Sequence, residues 1–336
     1  MKVFITGSSG YVGGMLLDRF FADPKVEKII ALDMKDPLPH AASYHSKVSF
    51  INWNLGDPGW EEKVLEDGAP DVVIHCAYVI REGYGKKRDW QLKSNVTAAE
   101  RVFKFAFQNK IPRLIHFSTV ASYGALAGNK VMQKFTEADP FREERYLYGV
   151  DKKVIEEKLK AMFQASGFKT QVLVVRPCAI TGPRGQFMFK RFGLLQVVKY
   201  GLPIVPITGP QSARQYVHED DIWKAIELMA KGGIKNSYEI FNIAPSDFLL
   251  LKDMAKEIGK VSVRVPMVLG KAVFALLWHG SQGRIPTVPT GINSYTYPII
   301  VDGSKITNFG FKYQYTAREA LKADRGYYTG FIHNGA

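Results

Sequence analysis

Short apolar runs alternate with longer amphipathic segments through the first half of the chain. The runs are rich in Val and Ile and predict buried strands, separated by helix-length segments such as 11–21 and 95–108. Continuous apolar strands that alternate with helices are typical of a parallel sheet covered on both faces. We therefore predict an α/β fold with a doubly wound parallel sheet of six or seven strands. The six predicted strands of this half are 2–6, 28–33, 48–53, 71–76, 114–118 and 171–176.

The second half of the chain loses this alternation. Turn-rich stretches are mixed there with short helices and one or two strands. Tyr216–His218 and Tyr238–Ile243 have the composition of strands, so we expect residues 211–243 to return to the first lobe. The rest should form a smaller lobe that grows from loops at the carboxyl ends of the sheet strands, where ligands bind in such folds.

Composition and charge exclude several classes of protein. The 336 residues are 46% hydrophobic and 23% charged, as in an ordinary globular protein. The formal net charge is +13, but the basic residues are scattered and form no dense run, so we predict no nucleic-acid partner. Residues 1–7 enter a short apolar run and a glycine turn without the features of a secretory signal, which predicts a cytoplasmic protein. Cys76 and Cys178 lie in apolar runs and are expected to be free buried thiols.

The longest apolar stretch of the second half is 265–278, which contains Lys271. It is shorter than the roughly 20 residues that a membrane-spanning helix needs, so we predict no integral membrane segment. We interpret it as an amphipathic core helix. The alternative is a membrane-surface segment or a site for a lipid-like substrate.

A glycine triplet follows the first predicted strand and has the spacing GxxGxxG. Gly7 permits a tight turn, Gly10 lets the backbone approach a pyrophosphate, and Gly13 lets the new helix pack close to the strand. The N-terminus of that helix favours phosphate groups. Asp33 ends the second strand, where a carboxylate hydrogen-bonds the ribose of NAD and repels the extra phosphate of NADP. We predict NAD, although Lys35 leaves a case for NADP.

Tyr148 and Lys152 are spaced i, i+4 at the start of a predicted helix, which places both side chains on one face. An ammonium group beside a phenol favours the phenolate and lowers its pKa from about 10. The tyrosine could then act as a general acid or base toward a hydroxyl or carbonyl group.

The sequence resembles the extended short-chain dehydrogenase/reductase family, in particular its NAD-dependent epimerase/dehydratase group, typified by UDP-glucose 4-epimerase. The resemblance covers nearly the whole chain and implies a Rossmann-type NAD-binding domain of residues 1–178 plus about 211–243. Residues 179–210 plus about 244–330 would form the substrate lobe. It rests on the two motifs above and on segments in the family's order: 71–77, 95–96, 117–124, 176–183, 216–221, 301–305 and 309–311.

The resemblance also implies roles for individual residues. Thr119 would hydrogen-bond the reacting oxygen, Tyr148 would be the acid/base, and Lys152 would also hold the nicotinamide ribose. A homodimer through helices of the Rossmann domain is a further expectation. The implied cofactor contacts are Gly7, Ser9, Gly10, Tyr11, Val12, Gly13, Asp33, Asn54, Leu55, Cys76, Ala77, Tyr78, Asn95, Tyr148, Lys152 and Pro177, and the implied substrate contacts are Ser118, Thr119, Tyr148, Ala179 and Arg214. Asn95 has a helix cap as its alternative role.

The substrate side departs from the sugar-nucleotide pattern of the family. The position of a diphosphate-binding asparagine falls on Ala179, and one arginine position falls on Ile292, whereas Arg214 matches. Arg184 or Arg284 could compensate. Three readings stay open: a nucleotide-sugar epimerase-like enzyme, a dehydrogenase or reductase of an apolar carbonyl compound, and a non-catalytic NAD-binding subunit. Dehydration is the least favoured sugar chemistry, because Val120 stands where a dehydratase carries an acid.

The histidines predict no metal site. His75 and His116 fall inside central strands and are expected to be core histidines with satisfied ring nitrogens. The run His218-Glu219-Asp220-Asp221 cannot easily converge on one ion and resembles a strand-to-helix cap.

Overall fold

Seven parallel strands form the centre of the molecule in a computed structural model that describes residues 1–80, 82–85, 87–167, 169–187 and 201–334. The side chains of residues 42, 186, 187 and 331–334 lie outside this description, as do residues 188–200 of the predicted substrate lobe. The strand order is β11-β6-β5-β4-β1-β2-β3. These strands are β1 (Lys2–Thr6), β2 (Lys28–Asp33), β3 (Val48–Asn52), β4 (Val72–His75), β5 (Arg113–Phe117), β6 (Gln171–Pro177) and β11 (Tyr238–Ile243).

The prediction of a doubly wound parallel sheet is therefore confirmed. The six predicted strands of the first half all lie within the sheet, and their ends differ from the prediction by one residue at most. The chain order reverses between β1 and β4, which creates the crevice where such sheets bind ligands. The helices are α1 (Tyr11–Phe21), α2 (Trp60–Leu65), α3 (Lys87–Gln108), α4 (Leu147–Ala165), α5 (Pro183–Phe187), α6 (Glu219–Ala230), α7 (Leu251–Glu257), α8 (Met267–Gly280), α9 (Gly291–Thr296) and α10 (Ala317–Lys322).

Two apolar layers cover the two faces of the sheet, because every central strand is apolar on both sides. One layer contains α1 and α6, with Phe20 packed edge-on against Trp223. The other contains α3 and α4, with Phe103 and Leu159 fully buried. A third apolar cluster lies in the second half of the chain and includes Ile292. Both faces of the sheet are therefore covered, and the loops that follow its strands lie at the carboxyl ends of the strands.

The remaining strands form three short pairs beside the main sheet. They are β7 (Ala179–Thr181) with β10 (Tyr216–His218), β9 (Ala213–Arg214) with β12 (Leu249–Leu250), and β8 (Ile204–Ile207) with β13 (Val261–Arg264). Tyr216–His218 is a strand as predicted, but its partner is Ala179–Thr181 and not the central sheet.

Helix α8 corrects the interpretation of the apolar stretch 265–278 as a core helix. Gly270 and Trp278 are buried, but Val268 and Leu276 are 80% and 73% exposed. The sequence pattern placed these side chains in the core because apolar residues are buried in most helices. In the described part of the chain, no helix combines the length and the apolar character that crossing a bilayer requires.

Candidate active site

The glycine turn after β1 packs so closely that side chains would not fit. Gly7 has a positive φ of 73°, and a Cβ there would lie 2.7 Å from the backbone of Ala77. A Cβ on Gly13 would lie 2.1 Å from the carbonyl oxygen of Gly7. Helix α1 begins at Tyr11 with Gly10 as its N-cap, and no side chain caps that end. N–H groups in the first turn of a helix have no partner within the helix, so this end suits a pyrophosphate, as predicted from the glycine spacing.

The carboxylate of Asp33 lies beside this turn at the end of β2. It accepts hydrogen bonds from the backbone N–H groups of Ser9 and Lys35, both at 3.0 Å. The next strand leads to Asn54, whose side-chain oxygen accepts from the N–H of Gly56 at 3.1 Å, and to the buried Leu55. Asp33, Asn54 and Leu55 therefore follow the ends of adjacent strands, where the predicted adenosine contacts would be.

The loop after β4 is held by Asn95 from helix α3. The Asn95 side chain accepts from the N–H of Val79 at 2.9 Å and donates to its carbonyl oxygen at 3.3 Å. Asn95 lies well inside α3, which begins at Lys87, so the alternative of a helix cap is wrong. The first residues of α3 are mostly polar and exposed, so hydrophobic periodicity does not reveal where the helix begins. Asn95 fixes the loop that carries the predicted cofactor contacts Cys76, Ala77 and Tyr78.

The start of helix α4 places Tyr148 and Lys152 against β5. Just before the helix, the carboxylate of Glu143 accepts from the N–H groups of Arg145 and Tyr146, both at 2.9 Å, and so fixes the approach of the chain. The side chain of Thr119 lies near the hydroxyl of Tyr148 and accepts a hydrogen bond from the N–H of Ala121 at 3.2 Å. Thr119, Tyr148 and Lys152 thus lie together, as the sequence predicted.

The expected effect of Lys152 on Tyr148 is corrected by the structure. The ammonium group of Lys152 donates to the carbonyl oxygen of Phe117 at 2.6 Å. Burial raises the pKa of Tyr148, and the nearby Thr119 side chain lowers it by a smaller amount. Burial also lowers the pKa of Lys152 to about 8, because the charged form loses its hydration.

Tyr78 and Asp151 form a contact that sequence reasoning missed. The Tyr78 hydroxyl donates to Asp151 at 3.0 Å. The Tyr78 ring lies 4.3 Å from the Lys152 ammonium and packs edge-on against Tyr148, with 5.4 Å between ring centroids. In the sequence, the only sign of this contact is that Asp151 is the neighbour of Lys152. Tyr78 thereby contacts Tyr148 and Lys152, two of the three predicted catalytic side chains.

The two core histidines differ from each other. His75 shares a hydrogen bond of 2.8 Å with the hydroxyl of Thr6, as expected for a satisfied core histidine. For His116 the expectation is wrong, because neither ring nitrogen has a hydrogen-bond partner among the described residues. The two rings stack at 5.4 Å on neighbouring strands. Burial and the Lys152 charge lower the pKa of both, that of His75 to about 3.

The predicted substrate contacts come from the segments after β5 and β6, from α4 and from β9. Ser118 follows β5 and is buried, whereas Ala179 follows Pro177 and is exposed. Arg214 lies on β9 with its guanidinium 5.9 Å from the Tyr295 ring, and Tyr146 and Tyr216 are also near its charge. Within the described ranges, no carboxylate pairs with Arg214. Arg214 is therefore a cation without a counterion among the described residues, and it lies near Tyr146, whose ring is 6.0 Å from that of Tyr148.

The arginines that could compensate for the missing anchors are placed elsewhere. Arg184 is buried and forms an ion pair with Asp18 beneath Gly14. Arg284 is exposed, and Ile292 belongs to the third apolar cluster. Arg184 is therefore committed to a structural pair, which removes it as a substitute for a diphosphate-binding arginine.

The segment from His218 to Asp221 is a helix cap, as expected. The Nδ1 atom of His218 accepts from the N–H of Asp220 at 3.1 Å and caps α6. Among the residues with described positions, no cluster of three or more His, Cys, Asp or Glu side chains could hold a metal ion. Cys76 and Cys178 are free thiols, of which Cys178 is the fully buried one.

Comparison with known proteins identifies the family. Residues 3–244 match the model of the NAD dependent epimerase/dehydratase family, and the chain belongs to that family. It is therefore an NAD-dependent enzyme. A relative is the UDP-D-apiose/UDP-D-xylose synthase of Oryza sativa, 24% identical over 85% of this chain and 82% of that protein. An uncharacterised protein of Mycobacterium tuberculosis is 28% identical over 82% of this chain and 69% of its own length.

Solved structures share the fold. The UDP-glucose 4-epimerase of Thermotoga maritima, solved with UDP-glucose, superposes with a TM-score of 0.73 over 99% of both chains at 17% identity. The dTDP-glucose 4,6-dehydratase of Bacillus anthracis, solved with NAD, gives a TM-score of 0.72 over 100% of this chain and 97% of that chain at 16% identity.

Proposed function

We propose that this enzyme acts on a secondary alcohol of a nucleotide sugar in an epimerase-like reaction, in which NAD is retained. The observation that carries the proposal is Arg214, a partly buried cation without a carboxylate partner near Tyr146. A buried charge is costly unless it is paired, so the position favours an anionic ligand. The phosphate groups of a nucleotide sugar provide such an anion, and relatives named for UDP-sugar chemistry support the choice.

The residues around the glycine turn fit NAD. A backbone cradle that a Cβ would fill at Gly7 and Gly13 suits a pyrophosphate, and Asp33 would hold the adenosine ribose. Lys152 would hold the nicotinamide ribose. When bound, NAD supplies a hydride acceptor that can also return the hydride.

The protein would handle the proton of the reacting hydroxyl. Tyr148 would take that proton on its phenolic oxygen, and the nearby Thr119 hydroxyl would orient the reacting oxygen. The charge of Lys152 would stabilise the phenolate once both groups contact the ribose and substrate. The raised pKa of Tyr148 keeps its hydroxyl protonated in the free enzyme. The phenolate would therefore form only when ligands are bound.

A second function is favoured by the missing diphosphate anchors. Ala179 is exposed without a polar group, and Ile292 is buried among apolar residues. These two positions would suit an apolar ketone or secondary alcohol, which a dehydrogenase or reductase would convert with net consumption of the cofactor. The non-catalytic reading is set aside, because the chain belongs to a family of enzymes.

Replacing Arg214 tests the choice between these functions. Arg214→Gln removes one charge-assisted hydrogen bond to a phosphate, about 1.5–3 kcal/mol, so the KM for the UDP-sugar that the enzyme turns over should rise about tenfold to a hundredfold. The NAD content should not change. The matched control is the exposed Arg284→Gln. An unchanged KM in Arg214→Gln, with turnover of apolar ketones by the unaltered enzyme, would favour the second function.

Three further features belong to this proposal. The chain would divide into the NAD-binding part and the substrate lobe at the boundaries given by the sequence. Two copies would associate through helices of the Rossmann domain, and light scattering of the purified protein can test whether it is a dimer. The location would be cytoplasmic, where both thiols stay reduced.

A further inference from the structure

Helix α8 presents an apolar face that the described fold leaves uncovered. We define this apolar helix face as Val268, Leu269, Val273, Leu276 and Leu277. Their spacing follows successive helical turns, so the side chains form one stripe. Val268, Leu269 and Leu276 are 80%, 54% and 73% exposed. Clustered exposed apolar side chains of this kind mark interaction sites.

The opposite side of α8 attaches the helix to the rest of the molecule. Trp278 is buried, and its ring lies 5.8 Å from that of Tyr84 in the loop after β4. The Tyr84 hydroxyl and the His279 ring share a hydrogen bond of 3.2 Å. Gly270 approaches the side chain of Ile292 in the third apolar cluster. The helix is therefore fixed in place while its apolar helix face points outward.

The sequence segment that contains α8 carries charges of one sign. Between Glu257 and Asp302 the sequence contains no acidic residue, while it contains four basic ones, Lys260, Arg264, Lys271 and Arg284. Lys271, Arg264 and Arg284 are exposed, and none of them forms an ion pair with a residue that the structure describes. The apolar helix face thus lies in a segment that is purely cationic.

We infer that the apolar helix face seats the enzyme on an anionic membrane surface. Interfacial helices bury an apolar face at the boundary of the lipid headgroups and acyl chains, and nearby Lys and Arg residues are attracted by anionic lipids. A second copy of the chain fits the surface less well. A symmetric dimer would place the same patch on both partners and bring its positive charges together. The inference does not depend on which substrate the enzyme takes.

Sedimentation of the full chain with lipid vesicles tests this inference. The protein should bind vesicles of phosphatidylcholine and phosphatidylglycerol, bind vesicles of phosphatidylcholine alone at least tenfold more weakly, and be released by added salt. The double variant Val268→Ser/Leu276→Ser and the variant Lys271→Glu should each reduce binding to anionic vesicles at least tenfold. Met132→Ser is the matched control, because Met132 is 83% exposed and lies outside this segment.

All variants replace exposed side chains, so each should keep the melting temperature of the unaltered protein, which shows that lost binding is not lost folding. The inference is overturned if the protein ignores anionic vesicles, or if the variants bind them as the unaltered protein does. It is also overturned if the chain is a dimer in sedimentation velocity and Val268→Ser/Leu276→Ser makes it a monomer, since the face is then an interface between copies.

Discussion

At the scale of single residues, Tyr78 links two of the three predicted catalytic side chains, Tyr148 and Lys152, to Asp151. Its ring faces the Lys152 ammonium at 4.3 Å, and its hydroxyl donates to Asp151. A cation over an aromatic face is stabilised in its charged form. Burial acts against this and lowers the pKa of Lys152 to about 8. Tyr78 therefore helps Lys152 to keep its charge at neutral pH.

Removing the Tyr78 ring should shift the pH dependence of the reaction. In Tyr78→Leu, loss of a cation–π contact of about 0.5–1 kcal/mol should lower the pKa of Lys152 by several tenths of a unit. Lys152 then loses its proton at lower pH, and the decline of kcat on the alkaline side should begin earlier. Tyr78→Phe keeps the ring and should keep this limb of the profile. The role is contradicted if both variants decline at the same pH as the unaltered enzyme.

That the proposed catalytic residues Tyr148 and Lys152 lie together could be predicted from the sequence, but their surroundings could not. Tyr148 and Lys152 are neighbours through helix geometry, which spacing alone reveals. The contact between Tyr78 and Asp151 joins positions that are 73 residues apart, and only the fold brings them together. For the same reason the sequence suggested that Lys152 acts on Tyr148 directly, whereas Lys152 donates to Phe117.

At the scale of elements, the central strands could be placed almost to the residue because they are apolar on both faces and end at turn residues. Helix α3 was placed too late because Lys87, Arg88 and Asp89 form an exposed polar start without apolar periodicity. Helix α8 was assigned to the core because composition does not show which side of an apolar helix lacks a neighbour. Sequence patterns therefore identify a segment as a helix or a strand, whereas its contacts are known only from the packing of the folded chain.

The buried side chain of His116 on β5 leads to a prediction about how the stability of the fold depends on pH. His116 is fully buried, and burial holds its pKa well below the ordinary value of about 6.5. The unfolded chain therefore binds a proton below pH 6.5 that the folded chain does not, so this residue makes stability fall as the pH falls. His116→Phe removes that proton. The fall in the free energy of unfolding below pH 6.5 should become shallower by up to about 1.4 kcal/mol per pH unit.

Urea unfolding of both proteins at several pH values below neutrality measures this difference. The buried carboxylates Glu219 and Asp221, with pKa values raised to about 7, act in the opposite direction. They are present in both proteins, so they cancel in the comparison. Parallel curves for the two proteins would show that His116 takes up its proton inside the fold.

At the scale of the whole molecule, the residues of the candidate site lie at the carboxyl ends of the sheet strands. The glycine turn, Asp33 and the loop after β4 follow neighbouring strands of the sheet, and Arg214, from the second half of the chain, lies near Tyr146. The fold and the family could be predicted from the sequence because the motifs follow one another in a fixed order. The substrate could not be predicted, because Ala179 and Ile292 stand at the positions where the family pattern has a diphosphate-binding asparagine and an arginine.

The central claim is that NAD is retained and returns the hydride to the substrate. The most direct test is to measure how much NAD each freshly purified chain releases on denaturation, and whether UDP-sugars are then converted without added cofactor. We predict about one NAD per chain, conversion with no net change in oxidised NAD, and a Tyr148→Phe variant that holds the same NAD but does not turn over. An empty chain that consumes added NADH with apolar ketones, or turnover by Tyr148→Phe at the original rate, would contradict the account.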